Sequence, residues 1–346
     1  MQELSDAGWV SPVGRISSTG GRPARLFGLN GATHLVVGIH LEIPTLNMVT
    51  ANLNGEVIDR VHVADHSTLL PDEALGAIVK YVRRIQSEYH GRRLLGVGLA
   101  MPGFIDPASG IILYSIRAPQ WQNFPLKTRL ESELGLPVLI ENDVDCMTFA
   151  ELAHAVLPDT TNMLYLGFSE GAKVSMLFGG QLIKGPFGNA GIIGRMVAAP
   201  GEEPERASVS GVCLEFDRGV AELAEPSETV QAIVATSDRN AKFRAILEAA
   251  EHEPLCTEIV TSVIDLLAER VSRLIQVLQP ELLIIGGALS HLPPSLRAYM
   301  EKGIRSSLPQ LISNHLVVKH AAMVGSRVAA IGAVYRFLQN YDVEQA

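Results

Sequence analysis

Two apolar runs, residues 35–41 (Leu-Val-Val-Gly-Ile-His-Leu) and 94–100 (Leu-Leu-Gly-Val-Gly-Leu-Ala), bracket an Asn54-Gly55 pair and a helical stripe. Runs without polar alternation fit strands covered on both faces, as when helices flank a parallel sheet. Asn-Gly is the strongest short hairpin signal, and here it joins residues 46–53 to 56–63. Residues 71–89 read as a helix with Ala74, Ile78, Val82 and Ile85 on one stripe. Beyond the second run come a helix at 126–134 closed by Gly135, a short strand at 138–140, and a helix from Asp143 to about residue 156. The order β-β-β-α-β-α-β makes this part an α/β lobe.

A second lobe begins near Asn162. Residues 163–168 and 173–178 read as strands, and Gly179-Gly180 turns the chain into 181–183. Helices dominate 211–278 after a loop-like acidic stretch at 201–206. Residues 280–287 form a strand entering a glycine turn. A final helix over 325–338 carries Ala329, Ala330, Gly332 and Ala333, small enough to pack closely on a sheet. The second half repeats the plan of the first in outline, without residue-level repetition. The expected division is 31–157 plus 325–343 for one lobe, 158–324 for the other, and 1–30 apart from both.

Composition excludes several classes. Every apolar run is broken before it reaches membrane-spanning length, and the first thirty residues lack the charged start and apolar core of a signal peptide. Cys146, Cys213 and Cys256 are too dispersed for a disulfide framework or a CxxC site. A cytoplasmic, reduced location is expected. The net charge of −9 disfavours nucleic acid over most of the chain. Arg15, Arg22 and Arg25, against Glu3 and Asp6, make the first thirty residues the place where DNA would be met.

Residues 96–106 (Gly-Val-Gly-Leu-Ala-Met-Pro-Gly-Phe-Ile-Asp), Trp121, and 137–143 (Pro-Val-Leu-Ile-Glu-Asn-Asp) resemble the sugar-binding half of the ROK family, named for repressor, open reading frame and kinase. The resemblance implies a two-lobe actin/hexokinase-like fold built on ribonuclease-H-like lobes. In the resembling kinases the aspartate matching Asp143 is the general base, and the asparagine matching Asn142 hydrogen-bonds the sugar. A helix N-terminus favours a carboxylate, which can accept hydroxyl protons. Asp is equally a good N-cap, so capping alone is the other reading. Glu215 matches a family sugar-binding glutamate or is a solvated helix residue.

The phosphate-handling positions depart from the family. Aligned through Gly38, its DxGxT-like loop has His40 for the acid, Glu42 for a glycine and Pro44 for the threonine. Proline brings neither amide hydrogen nor hydroxyl. The second loop, glycine-threonine-glycine in the family, reads Ser169-Glu170-Gly171, with Lys173 following. Two acids would then face a triphosphate, each repulsion worth roughly 4 kcal/mol at about 4 Å and an effective dielectric of about 20. Lys173 offsets one at most. ATP turnover is not expected, and no cofactor is.

The family's zinc motif, GxxGExGH with CxCGxxGC, is also altered. Its glutamate is Ile192, its histidine is Arg195, and of its cysteines only Cys213 remains. A structural zinc needs four ligands, so no metal is expected and Cys213 reads as a small buried residue. Arg117 stands where the family has an asparagine. Arg117 and Arg195 either bring two guanidinium forks to a ligand or point to solvent. The first reading makes the ligand an anionic carbohydrate, since arginine's fork suits carboxylate or phosphate.

Before the core, Ser18, Thr19, Gly20, Gly21, Arg22 and Pro23 form a narrow tip flanked by Val10, Val13, Leu26 and Phe27. It is similar to the wing of ROK repressors, and an arginine at such a tip suits a minor groove. A flexible linker is the alternative. The family's repressors carry further helices upstream, so Met1 falls inside what resembles the last helix of a winged-helix domain. A late start, a truncation or a natural loss would each account for that. Together these readings describe a sugar-responsive ROK-type transcriptional regulator, a homo-oligomer with a carbohydrate effector. A divergent sugar kinase is the alternative.

Overall fold

The computed structural model describes residues 1–16, 24–42, 45–63, 70–115, 118–154, 160–194, 196 and 207–343. The chain opens with α1 (Gln2–Asp6), β1 (Val10–Ile16) and β2 (Ala24–Leu29). It continues through β3 (His34–Glu42), β4 (Thr45–Asn52), β5 (Val57–Val63), α2 (Pro71–Glu88), β6 (Arg93–Met101), β7 (Phe104–Ile105) and β8 (Ile112–Tyr114). Next come α3 (Leu126–Leu134), β9 (Val138–Asn142) and α4 (Asp143–His154). The following stretch holds β10 (Met163–Phe168), β11 (Ala172–Phe178), β12 (Gln181–Leu182), α5 (Val209–Glu222), α6 (Glu228–Val234), α7 (Arg239–Ala249) and α8 (Pro254–Leu278). After these lie β13 (Leu282–Gly287), α9 (Pro294–Ser306), α10 (Gln310–His315), β14 (Val317–His320) and α11 (Val328–Asn340).

Two compact units result. The first comprises Met1–His154, Gly185–Asn189 and Gly325–Ala346, and the second Ala155–Lys184 and Ala190–Val324. Residues 1–16 and 24–30 thus group with the first unit instead of standing apart. Each unit has one five-stranded sheet, ordered β5-β4-β3-β6-β9 in the first and β12-β11-β10-β13-β14 in the second. In both, three strands run antiparallel and the last two add in parallel. The outline repetition is therefore a shared topology.

Strand periodicity explains the first unit's layers. Leu35, Val37, Ile39 and Leu41 of β3 face one core with Ile78, Val82 and Ile85 of α2. Val36 faces another with Val334 and Phe337 of α11. Residues two apart share a face, so Gly38 and His40 lie on the α11 side. A side chain at Gly38 would strike the Ala330 carbonyl, and one at Gly98 the Ala333 carbonyl. On the other side of α11, one at Gly332 would strike the Cys146 carbonyl of α4. Glycine at these three positions lets α11 lie directly on backbone.

Local signals hold where they are strong. Gly55 takes φ +78° in the hairpin turn, and Asn52 Oδ1 accepts the amides of Asn54 and Glu56 at 2.9 and 3.1 Å. Gly135 caps α3 at φ +63°. The final helix starts at Val328, three residues later than its pattern suggests. Between residues 288 and 324 the sequence reading assigns nothing, whereas the fold places α9, α10 and β14 there.

The N-terminal segment is anchored by Trp9. Its ring stacks on His34 with centroids 4.2 Å apart and lies 5.9 Å from Tyr341, while Thr33 Oγ1 donates to the Gly8 carbonyl at 2.7 Å. Burial first, then the Arg93 cation, hold the His34 ring below its usual range, which favours a neutral stacking partner. Trp9→Ala should cost about 3 kcal/mol, read from urea unfolding. A loss below about 1 kcal/mol would show the segment to be loosely attached.

Candidate functional site

The chemistry-bearing residues of the first unit gather where β9 runs into α4. Asn142 ends the strand and its side chain caps the helix, Oδ1 accepting from Val144 N at 3.0 Å and Asp145 N at 3.4 Å. Its Nδ2 donates to Asn189 Oδ1 at 3.4 Å. Asp143 Oδ1 accepts from Val144 N at 2.9 Å. One oxygen of Asp143 thus serves the helix while Oδ2 faces the end of β3. There the buried His40 places Nε2 4.0 Å from Asp143 Oδ2 and Nδ1 3.3 Å from the Ser326 carbonyl. Glu42 Oε2 lies 3.9 Å from Nδ1 on the same strand.

A salt bridge supports this junction from behind. Arg336 Nε of α11 donates to Glu141 Oε2 at 3.2 Å, and the guanidinium lies 4.8 Å over the Phe149 ring. Cys146, on the buried face of α4, has its thiol pushed well up by burial and by the Glu141, Asp145 and Asp143 carboxylates. A thiol in that setting is unreactive.

Ser169, Glu170 and Gly171, read from the sequence as an altered phosphate loop, lie in the second unit. Glu170 turns its carboxylate to the N-terminus of α5, where Oε2 accepts from Ser210 Oγ at 2.6 Å and from Ser210 N at 3.3 Å. Arg239 Nη1 donates to Oε1 at 3.2 Å. Arg239 is a partner of this acid that the sequence did not reveal, and Lys173, expected to offset at most one of the two acids, is buried on β11. Helix N-termini attract anions, and this one is already served by the chain's own carboxylate.

The remaining candidates fall in different places. Glu215 sits half-exposed on α5, 3.8 Å from Arg218 one turn on, the geometry of a surface pair. Cys213 lies in the second unit's core with Val209, Val212 and Phe216, its thiol raised to about 11 chiefly by burial. Arg117, Arg195, Pro44 and the tip Ser18, Thr19, Gly20, Gly21, Arg22 and Pro23 lie outside the described residues. The segment leading to Arg195 is gripped by Arg270 of α8, which is 5% exposed. Its Nη1 donates to the Ile193 and Gly194 carbonyls at 3.0 and 3.1 Å. Sequence reasoning missed Asn189, Arg270 and the Glu170–Ser210 contact, and treated His40 only as a lost acid.

Paired sheets of one topology, with an Asn-Asp pair at a strand-to-helix junction, define an actin/hexokinase-like α/β protein. The ROK family profile matches residues 36–340, and the chain belongs to the ROK family. It is 24% identical over 306 residues to a putative xylose repressor of Caldicellulosiruptor sp., covering 83% of this chain and 74% of that one. It is 27% identical over 269 residues to a glucokinase of Halalkalibacterium halodurans, covering 73% and 80%. Among solved structures, a ROK family transcriptional regulator homologous to the E. coli MLC protein superposes with a TM-score of 0.82 at 19% identity, covering 97% and 86%. The relatives thus include both repressors and sugar kinases. No helix among the described residues is long and apolar enough to cross a membrane.

Proposed function

We propose that this chain is a sugar-responsive transcriptional regulator whose kinase-like core binds a carbohydrate effector without phosphorylating it. One observation carries the reading: the Glu170 carboxylate occupies the α5 N-terminus, hydrogen-bonded to Ser210 and paired with Arg239. A nucleotide phosphate brought there would have to displace a covalently attached anion. His40 at the position of the family's metal-handling acid supports the same view. Asn142 and Asp143 keep the hydroxyl-binding chemistry, with Glu215 as a further candidate. The ligand we propose carries a carboxylate or phosphate toward Arg117 and Arg195. DNA would be met through Ser18, Thr19, Gly20, Gly21, Arg22 and Pro23 in a homo-oligomer.

The test uses the purified chain with ATP, magnesium and matched neutral and anionic sugars. We expect no sugar-dependent release of ADP. At least one sugar should raise the melting temperature, because a ligand that binds only the folded state stabilises it, and Asp143→Asn should remove that shift. ADP release that depends on sugar and vanishes in Asp143→Asn would establish phosphoryl transfer instead.

A further inference from the structure

We propose that His40 is a ligand-binding residue, forming with Asp143 a clip for the hydroxyl groups of the ligand. The proposal rests on the carbohydrate reading above and adds a residue and a ligand edge to it. His40 is 2% exposed, on the α11-facing side of β3. Its Nδ1 has two oxygen neighbours, the Ser326 carbonyl at 3.3 Å and Glu42 Oε2 at 3.9 Å. A ring nitrogen among acceptors carries the proton, which assigns the hydrogen to Nδ1. Nε2 points the other way, toward Asp143 Oδ2 at 4.0 Å, and has no hydrogen-bond partner among the described residues.

That separation is too long for a direct hydrogen bond and matches the span that one oxygen about 2.8 Å from each atom would bridge, once the ring and carboxylate part enough to admit it. Asp143 Oδ1 is engaged by Val144 N, so Oδ2 is the acceptor the clip presents. Buried polar atoms are nearly always satisfied, and an exception calls for a partner such as water, an ion or a ligand; His40 Nε2 is the one that lies beside Asp143. Both protonation states of the ring ask for hydroxyls. In the neutral ring, Nε2 and Oδ2 both accept, and two neighbouring hydroxyls donate one proton to each. In the imidazolium, one hydroxyl oxygen accepts from Nε2 and gives its own proton to Oδ2. A carboxylate or phosphate oxygen has no proton for Asp143 and sets like charges side by side. The edge of the ligand at this clip is therefore a neutral polyol, whatever its far end carries.

Calorimetric titration of the whole chain with D-glucose, D-xylose, N-acetyl-D-glucosamine, glucose 6-phosphate and gluconate tests this. For each sugar that binds wild type, His40→Ala should weaken affinity about tenfold, the loss of one buried hydrogen bond. His40→Gln, whose amide can offer a donor or an acceptor near the same place, should stay within about threefold. In the wild type, a histidine-labelled 15N spectrum should show the His40 Nε2 resonance move at saturation, a readout that does not depend on a variant's stability. Wild-type affinity in both variants, or a His40 resonance unmoved at saturation, overturns the clip alone. A change in melting temperature with unchanged affinity makes His40 structural and also overturns it. Failure of every sugar to bind wild type overturns the carbohydrate reading and the clip with it.

Discussion

Arg336→Ala should destabilise the chain by about 3 kcal/mol and weaken sugar binding in the same variant. Arg336 donates to Glu141 at 3.2 Å and lies over Phe149, and the two charged side chains are 16% and 5% exposed. Removing one partner of a buried pair leaves the other charge without its counter-ion, which costs more than the pair itself contributes. Glu141 directly precedes Asn142, so a displaced carboxylate shifts Asn142 and Asp143, the two residues proposed to face the ligand. Urea unfolding and calorimetry on the same preparation would read both effects. Glu141→Gln combined with Arg336→Ala should cost less than the sum of the single changes, since neither charge is then stranded. Stability within about 1 kcal/mol of wild type for Arg336→Ala would show the pair to be dispensable.

Arg270→Ala should cost about 3 kcal/mol or more through loss of two charge-assisted hydrogen bonds to the Ile193 and Gly194 carbonyls. The same segment donates back, since Ile193 N and Gly194 N both bond the Ala172 carbonyl at 3.0 and 2.8 Å. It is thus held from two sides. Arg270→Met keeps most of the side-chain volume and should still lose about 2 kcal/mol, which separates hydrogen bonding from packing. A methionine variant as stable as wild type would assign the effect to packing alone.

The fold was legible where neighbours in sequence carry the signal. Asn54-Gly55, Gly135 and the runs at 35–41 and 94–100 each act within a few residues, and the structure places a turn, a cap and two doubly covered strands there. β14 was not legible because it is four residues long and alternates between exposed and half-buried positions. Asn142 and Asp143 were legible as a motif, whereas Asn189, 47 residues away, and Arg336, 195 residues from Glu141, leave no local pattern. Arg270 reads in sequence like Arg273 on the same helix, yet one is buried and the other exposed. Strand alternation put His40 on the face opposite Ile39, but only the tertiary approach of α4 brought Asp143 to it.

Because α11 lies on the backbone of β3 and β6, the first unit is finished only after the residues of the second unit have been synthesised. During translation Val36, Val49 and Leu95 remain without their α11 cover while residues 155–327 emerge, a delay of about ten seconds or more at typical elongation rates. An apolar sheet face left open that long is a surface for chaperones or for self-association. Any early stop codon before residue 328 yields a product in which this face stays open for good. In a nascent chain that face closes only when α11 arrives.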